Sequence, residues 1–219
     1  MKIRYSIFAF VIVIIAFISS CKKDPIISTH DKVGISKVTY FANITLTGSP
    51  VMSVIKGSSF TDPGVKAEAG GKEIPVKTTG AVNSDEVGLY TLNYSAVNAD
   101  GFSSSASRTI VVIPTAEVPG VDLSGTYNAV PVGSTPAPAN ISKVAEGVYY
   151  TTNCWGNSGA VIPAYFICTD GSSIVVPEQG SPYGNLESTM PGTYSAGLIT
   201  WTINLIDQGV ERTKKWQKQ

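Results

Sequence analysis

The chain has 219 residues, a hydrophobic content of 43% and equal numbers of basic and acidic side chains, 16 of each. This composition is sufficient to bury a core and excludes a chain that is disordered by composition. The first 21 residues contain two basic side chains, Lys2 and Arg4, and no acidic ones. The part of the chain that follows them therefore has a net charge of about −2. The absence of a basic stripe argues against nucleic-acid binding.

The first 21 residues combine a basic start, an apolar run at 7–18 and a small-residue segment that ends at Cys21. A membrane-spanning helix needs about 20 apolar residues, so this shorter run predicts a cleaved secretory signal instead. The segment Ile18-Ser19-Ser20-Cys21 resembles the lipobox of bacterial lipoproteins, which implies acylation of Cys21 after cleavage. Each acyl methylene that enters the membrane would contribute about 0.8 kcal/mol to anchoring.

Residues 22–35 are predicted to be a polar tether, which begins with Lys22-Lys23-Asp24 and contains His30, the single histidine. A short charged stretch after the lipidated cysteine resembles the surface-export signals of Bacteroidota-type lipoproteins. This resemblance favours a folded part at the cell surface over one in the periplasm. A solvated tether without an export role is the alternative.

Residues 36–113 are predicted to form a first β-domain. Within residues 87–97 apolar and polar side chains alternate, which is the period-two pattern of a strand that packs on one side. Further short strands are predicted at 39–47, 52–56, 65–69, 73–78 and 105–113. This many short antiparallel strands in one small domain favours an Ig-like sandwich.

Three segments of this domain resemble the Ig-like repeat of bacterial surface proteins and of some insecticidal crystal toxins. They are the G-x-x-F-x-D-P-G-V segment at 57–65, the G-L-Y-T-L-N-Y strand at 88–94 and the R-T-I-V-V end at 108–112. The resemblance covers about residues 44–113 and implies a spacer or adhesive module without catalytic residues. Asp62, directly before Pro63-Gly64, is predicted to form a turn.

Residues 114–121 contain two prolines and a glycine and are predicted to be a semi-rigid linker. Residues 122–219 are predicted to form a small antiparallel β-meander or barrel-like domain, and we expect it to fold separately from residues 36–113. Trp201 alternates with other apolar residues and is predicted to lie in the core, and residues 194–198 are predicted to be a hairpin turn. The predicted strands are 125–130, 139–143, 147–152, 164–169, 173–176, 192–195, 198–207 and 210–216.

The segments at 123–128, 146–150 and 192–194 resemble the C-terminal domain of a group of Bacteroidota lipoproteins. Members join one Ig-like domain to a small β-domain and are often associated with polysaccharide-uptake systems. The resemblance covers almost the whole mature chain and implies an outer-membrane lipoprotein. Its implied partners are a polysaccharide or proteins of an uptake system, besides the membrane itself.

Cys154 and Cys168 are the remaining cysteines. Export permits a disulfide between them, and closing this loop would stabilise the domain by roughly 3 kcal/mol in the chain-entropy model. The alternative is two buried thiols that behave as small hydrophobic side chains. A redox or metal role is not expected, because the spacing is not Cys-x-x-Cys and no histidines accompany the pair.

Enzymatic chemistry finds little support in the sequence. Because His30 lies in the tether, neither a Ser-His-Asp triad nor a multi-histidine zinc site can assemble in a folded domain. We therefore predict no catalytic residue, no metal and no cofactor. Glycoside hydrolysis needs only two carboxylates, about 5 to 10 Å apart, but no sequence feature pairs the candidate carboxylates. The alternative is that these carboxylates are solvated turn residues without a catalytic role. The candidate carboxylates of the second domain are Glu146, Asp170, Glu178 and Glu187.

Trp155 and Tyr183 lie in polar, glycine-rich stretches at 153–159 and 180–185, which are predicted to be loops. Aromatic faces in such loops can lie against sugar rings while nearby amides bind hydroxyl groups. We therefore predict a ligand site that consists of Trp155, Tyr183, Asn157 and Asn185. The alternative is that these loops fold back and bury both rings.

Together these features predict an all-β lipoprotein that is not an enzyme and that binds a glycan or a partner protein as an accessory of a polysaccharide-uptake system. A structural or adhesive lipoprotein without a small ligand is the first alternative, and a carboxylate-dependent glycosidase is the second.

Overall fold

The computed structural model describes residues 32–33, 36–130 and 138–219. The signal segment, Cys21 and most of the tether, including His30, lie outside the described residues. Two short strands, β1 (Lys32–Val33) and β2 (Ser36–Lys37), pair antiparallel in a first unit, and residues 41–219 form a second, compact unit. No helix in the described ranges is long and apolar enough to cross a membrane.

The first domain is an Ig-like sandwich of a three-stranded sheet, in the order β3-β5-β6, and a four-stranded sheet, in the order β4-β9-β8-β7. The pairing of β4 with β9 is parallel, which corrects the expectation of a fully antiparallel sandwich. The reason is the kink at Gly48 (φ 82°), where the chain passes from the first sheet to the edge of the second. The strands are β3 (Asn43–Leu46), β4 (Val51–Ile55), β5 (Val65–Ala69), β6 (Lys72–Glu73), β7 (Val76–Thr79), β8 (Gly88–Val97) and β9 (Ser103–Ile113).

The three segments of the Ig-like pattern meet in one buried polar network. Arg108 is fully enclosed, and its guanidinium donates hydrogen bonds to the Asp62 carboxylate and to the carbonyl oxygens of Thr47 and Gly64. Tyr94 donates its hydroxyl to the other Asp62 oxygen at 2.9 Å. Asp62 therefore does more than form a turn, because its carboxylate neutralises a buried cation.

The second domain is one antiparallel sheet that curls into a nearly closed barrel. Its strands follow the order β13-β12-β11-β10-β19-β18-β16-β15, and β17 pairs with both β14 and β18. A 3₁₀ turn (Ile206–Gln208) separates β18 from β19. The predicted all-β fold class, an Ig-like sandwich followed by a barrel-like domain, is thus confirmed. The strands are β10 (Gly125–Val130), β11 (Ala139–Ala145), β12 (Val148–Thr151), β13 (Ala164–Ile167), β14 (Ser173–Ile174), β15 (Gln179–Ser181), β16 (Gly184–Ser188), β17 (Gly192–Ser195), β18 (Leu198–Leu205) and β19 (Val210–Lys218).

Large aromatic side chains lie in the barrel interior, among them Trp201, which alternation predicts to be in the core. Trp201 is buried together with Ile199 and Ile203 on one face of β18. Phe166 meets Trp201 edge-on, with 5.4 Å between the ring centroids, and stacks on Tyr149 at 5.3 Å. Each of these large rings buries a large apolar surface in the core of the domain.

The Gln179 side chain connects β13 and β15, the two ends of the curled sheet. Gln179 accepts a hydrogen bond from the backbone nitrogen of Tyr165 at 2.7 Å and donates one to its carbonyl oxygen at 2.8 Å. The buried amide thus makes the two bonds that the backbone of a neighbouring strand would make. A backbone bridge between Ile167 and Val175 continues the closure.

Residues 179–188 form a hairpin of β15 and β16, whereas the sequence predicts a loop at 180–185. Leu186 is the one apolar residue of these two strands that is buried in the barrel. A strand with so little apolar content does not produce a clear period-two pattern, and this explains the incorrect prediction.

A shared apolar cluster joins the two domains. Val148 of β12 and Ile167 of β13 point away from the barrel interior and pack against Val111 and Ile113 of β9. The alternate residues of β12 and β13 fill the barrel. Both faces of these strands are therefore covered, which explains why their sequences are almost continuously apolar.

The linker lies along the second domain. Glu117 forms an ion pair with Lys143 and accepts a hydrogen bond from the Tyr149 hydroxyl at 3.0 Å. The backbone nitrogen of Val118 donates to the carbonyl oxygen of Thr169 at 2.8 Å. With the shared apolar cluster, these contacts fix the orientation of the Ig-like domain on the barrel.

Candidate functional site

A cleft of about 680 Å³ lies between the Ig-like domain and the barrel. One wall is the start of β8 and the residues before it, and the other consists of residues 175–180 together with β16. Its volume falls in the range of about 300–1,000 Å³ that is typical of ligand sites. The larger polar residues of this interdomain cleft are Glu86, Tyr90, Glu178, Gln179, Asn185 and Glu187.

The wall from the Ig-like domain is held in place by local hydrogen bonds. Tyr90 donates its hydroxyl to the carbonyl oxygen of Glu86 at 3.0 Å, and the Asn83 amide donates to the Glu86 carboxylate at 3.3 Å. Partial burial, followed by the nearby Glu86 charge, raises the pKa of Tyr90. The phenol therefore remains neutral at physiological pH.

The wall from the barrel follows from strand alternation in β16. Because Leu186 points into the barrel, its neighbours Asn185 and Glu187 face the cleft. The Asn185 amide donates to the Glu178 carboxylate at 3.1 Å, and its backbone nitrogen donates to Asp207 at 2.9 Å. The cleft thus brings together one predicted ligand residue, Asn185, and two of the four candidate carboxylates.

The charge of the cleft is one-sided. Glu86, Glu178 and Glu187 line it, and its lining residues include no lysine or arginine. Carboxylates accept hydrogen bonds and repel anions. The site therefore favours ligands that donate hydrogen bonds through hydroxyl or amino groups over ligands with negative charge.

The two aromatic side chains predicted to bind ligand belong to segments that meet beside the barrel core. Tyr183 donates its hydroxyl to the carbonyl oxygen of Gly159 at 3.4 Å, and both rings are half-buried against the core. The Lys214 ammonium lies 4.4 Å from the centroid of the Trp155 ring. Burial, with a smaller effect from Arg212, lowers the pKa of Lys214. The rings therefore pack on the barrel and keep part of their surface exposed.

Asn153, which no sequence signal singles out, organises the Trp155 loop. Its buried side-chain oxygen accepts hydrogen bonds from the backbone nitrogens of Trp155 and Gly156, both at 3.1 Å. Asn157 is exposed, but its side-chain oxygen accepts a hydrogen bond from the backbone nitrogen of Gly159 at 2.8 Å. Of these two amides, Asn153 shapes the loop and Asn157 faces solvent.

Cys154 and Cys168, the cysteines of the described residues, are free, buried thiols. The backbone of Cys154 pairs with Ile162 and that of Cys168 with Gly147, at opposite ends of the β12–β13 ladder, which separates them by roughly 10 Å or more. A disulfide needs Cα atoms within about 7 Å. The disulfide that export would permit is therefore not formed, and the alternative of two buried thiols is observed. Burial raises the pKa of Cys154 to about 12 and that of Cys168 to about 11.

Two of the four candidate carboxylates serve the local backbone instead of lining the cleft. Glu146 accepts a hydrogen bond from the backbone nitrogen of Glu117 at 3.3 Å. Asp170 accepts from the backbone nitrogens of Ser173 and Ser172, and these bonds lower the pKa of Asp170. Within the described ranges, no cluster of histidine, cysteine and carboxylate side chains could hold a metal ion.

Comparison with known proteins confirms the resemblance of the first domain. Residues 44–112 match the family model of the bacterial surface protein Ig-like domain. The chain thus contains an Ig-like domain of the type found in bacterial surface proteins. In a comparison with solved structures, it is similar to the lipoprotein BT2262 from Bacteroides thetaiotaomicron, with 23% identity and a TM-score of 0.42 over 82% of this chain and 100% of that one. No curated protein matches this chain.

Proposed function

We propose that this chain is a non-catalytic surface lipoprotein that is anchored through Cys21 and binds a glycan in the interdomain cleft, as an accessory of a polysaccharide-uptake system. The observation that carries the proposal is the cleft, which has the volume of a ligand site and polar groups on both walls. The bacterial surface Ig-like domain at 44–112 supports a location at the cell surface.

The polar groups of the cleft suit hydroxyl-rich ligands. A sugar presents hydroxyl groups that both donate and accept, so it needs acceptors and donors in fixed positions. Glu178 and Glu187 supply acceptors, and the Asn185 amide supplies both kinds of group. Because Val148 and Ile167 fix the barrel to the Ig-like domain, the walls are already in place before a ligand binds. The partly exposed rings of Trp155 and Tyr183 are the second proposed contact for sugar.

Binding is proposed in preference to hydrolysis because of the environment of Glu178. A glycosidase acid needs a carboxyl group whose burial keeps it protonated near neutral pH. Glu178 is exposed, and its carboxylate accepts a hydrogen bond from Asn185. Glu178 therefore lacks the buried surroundings that such an acid needs, whereas an exposed carboxylate suits a residue that accepts hydrogen bonds from a ligand. A purely structural or adhesive lipoprotein remains the second candidate, because the Ig-like domain alone would serve it.

The experiment that tests glycan binding is a glycan array with the mature chain, followed by calorimetric titration of each hit. Glu178→Gln and Asn185→Ala should each weaken binding about tenfold or more with unchanged melting temperatures. Glu68→Gln, an exposed carboxylate change in the Ig-like domain, is the matched control and should bind as the parent does. Absence of binding to any glycan would reject this function in favour of the structural alternative, and release of shortened sugars would favour the glycosidase.

The anchor is tested separately. Cys21→Ala should prevent acylation and move the protein out of the membrane fraction, and protease treatment of whole cells should remove the parent protein if the domains are at the surface. An alanine variant that is still acylated and membrane-bound would contradict the assignment of Cys21.

A further inference from the structure

An exposed apolar surface lies at the end of the Ig-like domain where the chain enters it. Phe41 and Phe102 are 64% and 49% exposed, and their ring centroids are 5.3 Å apart. Val97, at the end of β8, is also exposed. We name these three residues the tether-end patch. Clustered exposed aromatic residues of this kind mark interaction surfaces.

Hydrogen bonds hold the backbone around the patch. The Asn98 side-chain oxygen accepts hydrogen bonds from the backbone nitrogens of Phe102 at 2.8 Å and Asp100 at 3.1 Å. Ser104 donates its hydroxyl to the carbonyl oxygen of Ala42 at 2.6 Å, directly beside the other phenylalanine. The two rings are therefore presented to solvent by a fixed turn and a fixed strand start.

The patch and the barrel occupy opposite ends of β8 and β9. Val97 and Phe102 flank the turn between these strands, whereas Val111 and Ile113 at the far end of β9 contact the barrel. A strand advances about 3.3 Å per residue, so roughly 30 Å separates the patch from the interdomain contact. The barrel and its cleft therefore lie at the end away from the point where the chain enters the domain.

The position of the patch in the chain identifies its partner. Residues 22–40 lead from Phe41 back to Cys21, whose acyl chains lie in the membrane under the proposed function, on which this inference rests. At about 3.3–3.6 Å per residue, the segment 22–40 is long enough to allow contact between the patch and the bilayer but does not enforce it. Phenylalanine is among the apolar side chains with which peripheral segments enter the boundary between the head groups and the acyl chains. A lipid anchor raises the effective concentration of the bilayer surface at the patch, which lowers the affinity that the rings themselves must supply.

We propose that the tether-end patch rests in the interfacial region of the bilayer that holds Cys21. Contact at this end would orient β8 and β9 away from the membrane and present the interdomain cleft outward. The Ig-like domain would then set the direction of the barrel as well as its distance from the membrane.

The test uses the acylated full chain in phosphatidylcholine–phosphatidylethanolamine vesicles with brominated acyl chains, which quench nearby indole fluorescence. The three native tryptophans are all in the barrel and provide the reference signal. Phe102→Trp should add a blue-shifted emission component that brominated lipid strongly quenches. Met190→Trp, at an exposed position on the barrel, is the matched control and should add an unquenched component. Melting curves of both variants should match that of the parent.

The outcomes separate this inference from the proposed function. A chain that floats with the vesicles while the Phe102→Trp and Met190→Trp indoles are quenched equally overturns the patch contact and leaves the anchor intact. A chain that is not acylated and does not float contradicts the anchor itself, and the patch proposal falls with it. A third outcome is that the soluble Cys21→Ala protein sediments as a dimer and that the added Phe102→Ser substitution makes it monomeric. In that case the patch binds a second copy of the chain, and the membrane proposal is wrong.

Discussion

Asp62 and Arg108 form an ion pair whose guanidinium is completely enclosed in the Ig-like domain. The carboxylate also accepts the Tyr94 hydroxyl, and this bond contributes, after burial, to a raised pKa of Tyr94. The two ionic residues come from segments far apart in the sequence. The pair therefore fixes how the loop at 57–65 docks on β9.

Removing the carboxylate should be costly because it leaves a buried cation without its partner. We expect Asp62→Ala to lower the free energy of unfolding by about 3–5 kcal/mol, and Tyr94→Phe to lower it by about 1 kcal/mol. Urea unfolding of the mature chain with Cys21→Ala measures both. Asp85→Ala, an exposed change in the same domain, should have almost no effect. An Asp62→Ala loss no larger than this control would contradict the assigned role.

This network explains why the Ig-like domain can be predicted from sequence. Its pattern consists of the residues that meet in the core, so the local segments carry the information that specifies the fold. The barrel is likewise predictable where strands alternate strongly, as around Trp201. The hairpin at 179–188 is not, because Leu186 is its one buried apolar side chain and Gln179 closes the barrel with a polar group.

The candidate site is predictable only in part. Polar, glycine-rich surroundings single out Asn185, which lines the cleft, and Trp155 and Tyr183, which are half-buried at the edge of the core. Glu86 and Tyr90 carry no such signal, because they belong to the other domain and join the site only through docking of the two domains. No local sequence pattern encodes that docking, since the apolar residues of β12 and β13 are also what an ordinary core strand would contain.

The shared apolar cluster predicts how the domains behave when separated. We expect residues 36–113 and 122–219 each to give a cooperative melt alone, as the linker indicates, but at lower temperatures than the intact chain. The reason is that each fragment exposes its half of the cluster that contains Val111 and Ile167. Calorimetry of the two fragments and the whole measures this. A fragment that stays unfolded would refute the boundary, whereas fragments as stable as the intact chain would show that the cluster contributes nothing.

The buried thiols predict a reactivity pattern and a pH dependence. Cys154 and Cys168 in Cys21→Ala protein should not react with a thiol reagent at pH 8, and both should react in urea. Their folded pKa values, about 12 and 11, exceed the unfolded value of about 8.5. Stability is therefore fully present below pH 8.5 and falls as pH rises toward these folded values. If fewer than two thiols react in the denatured chain, at least one cysteine is oxidised, and this would contradict the free thiols of the folded structure.

The aromatic residues predict a graded series. Trp201→Ala removes a fully buried ring and should cost about 3–5 kcal/mol. Trp155→Ala and Tyr183→Ala remove half-buried rings and should cost about 1–2 kcal/mol each, in proportion to the apolar area that they bury. Paired melts and glycan titrations on all three variants measure stability and binding together.

The comparison of the two readouts decides the role of the aromatic loops. If Trp155 and Tyr183 contact sugar, their alanine variants should lose binding affinity by more than their small stability losses explain, under conditions where both remain folded. The cleft variant Asn185→Ala should lose affinity with no stability change, since its side chain is exposed. Should Trp155→Ala and Tyr183→Ala destabilise as much as Trp201→Ala and bind normally while folded, both rings are packing elements, and the cleft alone remains as the glycan site.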